Sequence, residues 1–195
     1  MKISFVLILT ALVLSCRSSS VVAPKPPVEP SEIPVSKNAF PVGDGKVLTK
    51  KRDGDGWYSA TNFGETDHLG EDWNKDSGGN SDCGQPVYSI ASGKIVYAED
   101  SGPGWGNVVI IEHFLEDGSR VESLYGHLEE VVKRSGSVGL REKIGTVGNA
   151  DGKYLCHLHL ELRTPKSRMW NQVGGGYSDD RSGWLDPTEF ITKKR

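Results

Sequence analysis

Residues 156–162 read CHLHLEL. The chain has five histidines, and here two of them stand one residue apart inside an apolar run. Side chains alternate along a β-strand, so His157, His159 and Glu161 share one face, spaced about 6.6 Å apart. Leu158, Leu160 and Leu162 fill the other face, which is the core side of the strand. The histidine face must then look into a cleft. Two imidazoles on such a strand can hold one metal ion together, or one can bind while the other works on a substrate. Two surface histidines on a half-exposed strand are the plainer alternative.

Working outward, the chain from about Gly45 onward shows the same short apolar alternations separated by turns. PVYSIASGKIVYAED (86–100) reads as two strands about a turn at Ser92-Gly93. GNVVIIEHF (106–114) is a β-branched run, EDGSR (116–120) a hairpin turn, and VESLYGHL (121–128) the returning strand. EEVVKRSG (129–136) is a loop or one helical turn. KIGTVGNADGKY (143–154) ends a strand and turns into the next. In GWLDPTEFI (183–191), Trp184 and Phe190 are expected to pack on the domain, with Pro187 opening a short helix. DGDG (53–56) is a turn. No segment carries a long stripe of period 3.6. Together with 24 glycines and 5 tryptophans, this predicts an all-β domain: a compact antiparallel, sandwich-like core with little helix.

A second cluster lies upstream. DHLGEDW (67–73) sets His68 and Asp72 four apart. Gly70 between them and the glycine-rich continuation argue against a helix. In extended backbone His68, Gly70 and Asp72 share a face, and Gly70 leaves room between two ligands. Imidazole and carboxylate are both zinc donors; a His–Asp pair on a loop is the structural alternative. His127, in LYGHL (124–128), ends a strand. His113, in IIEHF, is read as a hydrogen-bonded strand residue without a chemical role. Trp73, Trp105 and Tyr177 either line a groove or pack in the core.

The N-terminal stretch has a different character. Lys2 precedes ISFVLILTALVL (3–14), a block shorter than the roughly 20 residues of a membrane-spanning helix and proportioned like a secretory signal. VLSC (13–16) is similar to a bacterial lipobox, so residues 1–15 are expected to be a lipoprotein signal and Cys16 the lipid-bearing residue. Six of the ten prolines lie between Pro24 and Pro41, which predicts an extended polyproline tether over residues 16–45 and a domain over 46–195. Cys83 and Cys156 form no C-x-x-C, so a zinc finger is excluded; a disulfide between them and two buried free thiols both remain open. A formal net charge of −3 gives no electrostatic case for nucleic acid.

Taken in order, H-x3-D, an H in Y-x-H-L, and H-x-H resemble the lysostaphin-type, LytM-like zinc endopeptidases of bacterial cell walls. The likeness extends to the FG at 63–64, GQPVYSIASGKIV (84–96), GWGNVVIIEH (104–113) and IGTVGNADG (144–152), with Ala150-Asp151 where threonine is usual. It spans roughly Phe63 to Arg163. The resemblance implies that His68, Asp72 and His159 bind one zinc ion and that His127 and His157 are catalytic. It implies hydrolysis of peptide bonds in peptidoglycan stems or cross-links, with the fourth zinc position left for water. Glu161 would orient a histidine, or be exposed or salt-bridged. Some relatives instead are inert domains that bind and activate a wall amidase, and a zinc carboxypeptidase would share the chemistry. The expected protein is a monomer, exported and lipid-anchored in the cell envelope, facing the periplasm. The loop after Trp73 and NQVGGGYSDDRSG (171–183) depart from the shortest relatives and bear on cleft shape.

Overall fold

The computed structural model describes residues 34–46 and 56–193. Its strands are β1 (Trp57–Thr61), β2 (Glu71–Lys75), β3 (Pro86–Tyr88), β4 (Gly93–Asp100), β5 (Asn107–Phe114), β6 (Arg120–Val131), β7 (Gly136–Val138), β8 (Lys143–Val147), β9 (Leu158–Arg163) and β10 (Trp184–Leu185). One helix follows, α1 (Pro187–Lys193), begun by Pro187 as expected. The strands join into one antiparallel sheet ordered β1-β2-β9-β6-β5-β4-β7, with β10 on β9 and β3 on β8. The all-β expectation holds.

The VVII run of β5 is continuous because the strand is covered on both faces. Val109 and Ile111 join the main core with Val121, Tyr125, Leu158, Leu160 and Leu162. Val108 and Ile110 pack on the opposite face with Leu124. The leucines of CHLHLEL are thus the core side of β9, and all three are fully buried.

The long strand β6 organises the site. One flank pairs with β5. The other pairs first with β9, from Glu122 to Gly126, and then with β8, from Leu128 to Val131. The change of neighbour falls at His127, whose φ of 62° is left-handed. A non-glycine residue in that region is uncommon and, inside a strand, points to a functional constraint.

Two readings are corrected. Residues 129–131 are neither loop nor helix: β6 continues through Val131, with Glu129 and Glu130 exposed while the backbone pairs with β8, and the loop is confined to residues 132–135. Strands β3 and β4 flank a bend as read; β3 pairs with β8 and β4 with β5 and β7. The domain also starts before residue 46. Val35, Phe40 and Val42 are buried in the main core, Val35 N–H donates to the Phe114 carbonyl at 2.7 Å, and Arg141 Nη1 and Nη2 each donate at 2.6 Å, to the carbonyls of Phe40 and Gly43. The signal segment, Cys16, the tether up to residue 33 and most of DGDG lie outside the described residues. Cys83 and Cys156 form a disulfide. Among the described residues no helix is long and apolar enough to cross a membrane.

Candidate metal centre and active site

Asp72 on β2 stands directly opposite His159 on β9, and His159 stands opposite Gly126 on β6. His68 follows a 3-10 turn (Glu65–Asp67) and bridges to Tyr177. Gly70 is required between His68 and Asp72: a Cβ there would lie 2.5 Å from the Leu160 carbonyl oxygen and 2.9 Å from Cε1 of His159. The anticipated room is therefore space for the neighbouring strand and the imidazole.

The three groups converge. His68 Nε2 lies 3.1 Å from His159 Nδ1, His159 Nδ1 lies 2.9 Å from Asp72 Oδ1, and His68 Nε2 lies 3.4 Å from Asp72 Oδ1. Tetrahedral zinc with donors at about 2.0–2.1 Å keeps neighbouring donor atoms about 3.3 Å apart. The triangle matches one face of such a tetrahedron, so these residues fit a zinc ion without rearrangement. His68 and His159 are buried and Asp72 is half-buried.

Behind the triangle, His159 Nε2 donates to Glu161 Oε1 at 3.0 Å. This leaves Nδ1 as the metal-facing nitrogen, the usual carboxylate–imidazole arrangement behind a ligand. Glu161 Oε2 accepts from Arg163 Nε at 2.8 Å and from Trp184 Nε1 at 2.9 Å. Of the roles left open for Glu161, it both orients a histidine and is salt-bridged; it is not exposed.

His127 and His157 face the same space, with ring centroids 4.7 Å apart. His127 Nδ1 donates to the Trp105 carbonyl at 3.2 Å, and His157 Nδ1 donates to the Leu155 carbonyl at 2.9 Å. A carbonyl can only accept, so in each neutral ring Nε2 carries the lone pair. His157 Nε2 lies 3.7 Å from Asp72 Oδ1. His157 itself precedes β9 and pairs only in a bridge with Gly148.

Charge is distributed unevenly over the site. Burial opposes the charged form of His159, but the hydrogen bonds and attraction of Asp72 and Glu161 outweigh it and lift its pKa to about 9. Burial would raise Asp72, yet the hydrogen bond from His159 and the pull of the three histidines hold it far below the ordinary carboxylate range. Burial pushes His68 down. Burial, then the positive fields of His159 and His157, push His127 down to about 3, so it is a neutral base at any physiological pH. A cation on the triangle would displace the proton at His159 Nδ1.

These groups line a cleft of about 260 Å³, with Trp105, Tyr154 and Tyr177 around it. Trp105 and Tyr177 thus line the groove, whereas Trp73 is fully buried in the core beside Phe40. Tyr154 escaped the sequence reading because it sits in an irregular turn. His113 lies apart from the cleft, donating Nδ1–H to the Ser92 carbonyl at 2.9 Å with Nε2 facing Ser123 Oγ at 2.7 Å, in keeping with the structural role expected.

The sequence profile of peptidase family M23 matches residues 66–172, more than half of the chain. Lipoprotein NlpD of Yersinia enterocolitica is 35% identical over 81 residues, 41% of this chain and 78% of that protein. DD-carboxypeptidase/endopeptidase Mpg of Neisseria meningitidis is 39% identical over 80 residues, 41% of this chain but 17% of that protein. Murein hydrolase activator NlpD of Salmonella typhimurium is 33% identical over 81 residues, 41% of this chain and 20% of that protein. The match to the latter two therefore covers a minor part of their length. The matched residues include all five converging side chains, and the chain belongs to peptidase family M23.

Proposed function

We propose that the chain is a zinc endopeptidase acting on the peptide part of peptidoglycan. One observation carries the reading: three donor atoms form a zinc-sized triangle, and two histidines whose Nδ1 atoms are held by carbonyls face it across the same cleft. His68, Asp72 and His159 would hold the ion. Zinc so bound supplies an acidified water and polarises a peptide carbonyl. His127 and His157 would take and return protons at Nε2 and hydrogen-bond the developing oxyanion. Their carbonyl acceptors keep both rings from rotating away. The relative named DD-carboxypeptidase/endopeptidase supports this class of reaction. A lipobox-like VLSC, together with a relative named as a lipoprotein, supports an exported, Cys16-anchored envelope protein.

His159→Ala is expected to abolish zinc binding and hydrolysis, and His157→Ala to spare zinc while losing turnover. Full metal content and full activity in His159→Ala would defeat the assignment. Mass spectrometry of digested peptidoglycan identifies the bond cut and separates endopeptidase from carboxypeptidase products. The second reading, a non-catalytic activator of a wall amidase, is favoured by the relative named murein hydrolase activator. It requires a metal-free purified chain that stimulates an amidase; stoichiometric zinc favours the enzyme.

A further inference from the structure

Arg163 is fully buried on β9, two residues beyond the support of His159. Its Nε donates to Glu161 Oε2 at 2.8 Å. Its Nη1 reaches Glu122 Oε1 on β6 at 3.3 Å and the carbonyls of Met169 at 2.7 Å and Gln172 at 2.6 Å. Glu122 Oε2 in turn accepts the Asn171 amide at 2.8 Å. One guanidinium and its partner carboxylate therefore hold the backbone of Met169, Asn171 and Gln172 after β9, with Asn171 at a left-handed φ of 57°.

That segment runs directly into the cleft wall. Gly175, Gly176 and Tyr177 line the cleft, the Gly176 carbonyl accepts from Leu69 N–H at 2.8 Å, and the Tyr177 ring lies 4.9 Å from that of His68. Burying an arginine for stability alone gains little, because a well-packed apolar side chain commonly does as well. What an apolar residue lacks is a planar fork that addresses a carboxylate on one side and backbone carbonyls on the other.

We propose that Arg163 is a positioning residue that ties the 169–177 wall to the imidazole of His159. Wall placement and the affinity of the triangle for a divalent cation then depend on the same guanidinium, through Glu161. This rests on the metal reading proposed above for the cation arm only; the wall arm is independent of it.

The test uses the full chain, with Zn2+ titrated against a chromophoric chelator and backbone amide exchange followed by mass spectrometry. Arg163→Lys keeps the buried charge but cannot span both sets of partners. It is expected to weaken Zn2+ binding about 5- to 10-fold, one step less than direct loss of a ligand's carboxylate, and to speed exchange across 169–177 by about 10-fold or more. A lowered melting temperature with Zn2+ affinity within about twofold of the wild type, or exchange unchanged in 169–177, overturns the proposal. If Arg163→Lys does not fold, Glu122→Gln decides: faster exchange at Asn171 together with weaker Zn2+ binding supports the coupling, and faster exchange with unaltered affinity overturns it. A wild-type chain that binds no Zn2+ defeats the metal reading instead. The exchange of 169–177 in Arg163→Lys then judges the wall role alone.

Discussion

Asp72 and His159 are register partners across β2 and β9, and their Oδ1 and Nδ1 atoms lie 2.9 Å apart. Two of the proposed ligands are thus set by strand pairing rather than by loops, which keeps their separation fixed while the cleft rim varies. Asp72→Asn preserves shape and pairing but removes the negative donor. Zn2+ affinity should fall by at least about 100-fold, beyond the usual range for a supporting residue, with circular dichroism unchanged. Affinity within tenfold of the wild type would mean that Asp72 is not a ligand.

Glu161→Gln isolates the support behind His159. The amide oxygen can still accept from Nε2, but the charge that makes Nδ1 a stronger donor is gone. Zn2+ binding should weaken by about 10- to 100-fold. Turnover at saturating metal should recover most of the wild-type value, because no reacting group has changed. A loss of turnover that excess metal does not restore would place Glu161 in the chemistry rather than behind it.

The spacing of His68 and Asp72 flagged a second pair, although His68 precedes β2 and residues 69–70 bend between them. Alternation made β9 legible, because period two is a pattern that a strand must obey. The same rule hid other features. Glu161 and Arg163 are charged residues, yet both are fully buried because each neutralises the other and the loop supplies the remaining acceptors. Proline density hid Val35, Phe40 and Val42, which pack as core residues although their neighbours cannot form a strand. Paired glutamates hid the end of β6, where only the backbone is needed for pairing with β8. The left-handed φ of His127 leaves no trace in composition.

The disulfide between Cys83 and Cys156 closes a separation of 73 residues, a loop for which chain entropy gives about 4 kcal/mol of stabilisation. It also holds the residue before His157. Cys156 N–H donates to Asn80 Oδ1 at 3.0 Å, and the Cys156 carbonyl accepts from Asn74 Nδ2 at 3.2 Å. In Cys83→Ala/Cys156→Ala the unfolding free energy from denaturant titration should fall by an amount approaching that value. Zinc content should stay stoichiometric, since neither cysteine is a ligand. Peptide hydrolysis should drop by about 10- to 100-fold, the scale of a misplacement of order 1 Å. Undiminished hydrolysis would show that the asparagine contacts alone position His157.

His113 gives stability a pH dependence separable from catalysis. Burial pushes its pKa from 6.5 down to about 4, and its two nitrogens are used by Ser92 and Ser123. Between those values the unfolded chain carries a proton on this imidazole that the native state does not, so stability rises with pH. The contribution is fully present above pH 6.5 and is lost as pH falls towards 4, about 3 kcal/mol in all. Glu122 works in the opposite sense. Burial raises its carboxyl to about 7, so the native state binds the extra proton and stability declines as pH rises from 4.5 to 7. The wild-type curve sums these two with the shifted groups of the cleft, and His113→Gln removes only the His113 contribution. Denaturant unfolding at pH 4.5 and pH 7 should therefore show a steeper acid loss in the wild type than in His113→Gln, by about 2–3 kcal/mol. Parallel curves would mean that His113 is protonated in the native state, with the Ser92 carbonyl and Ser123 both accepting from its ring.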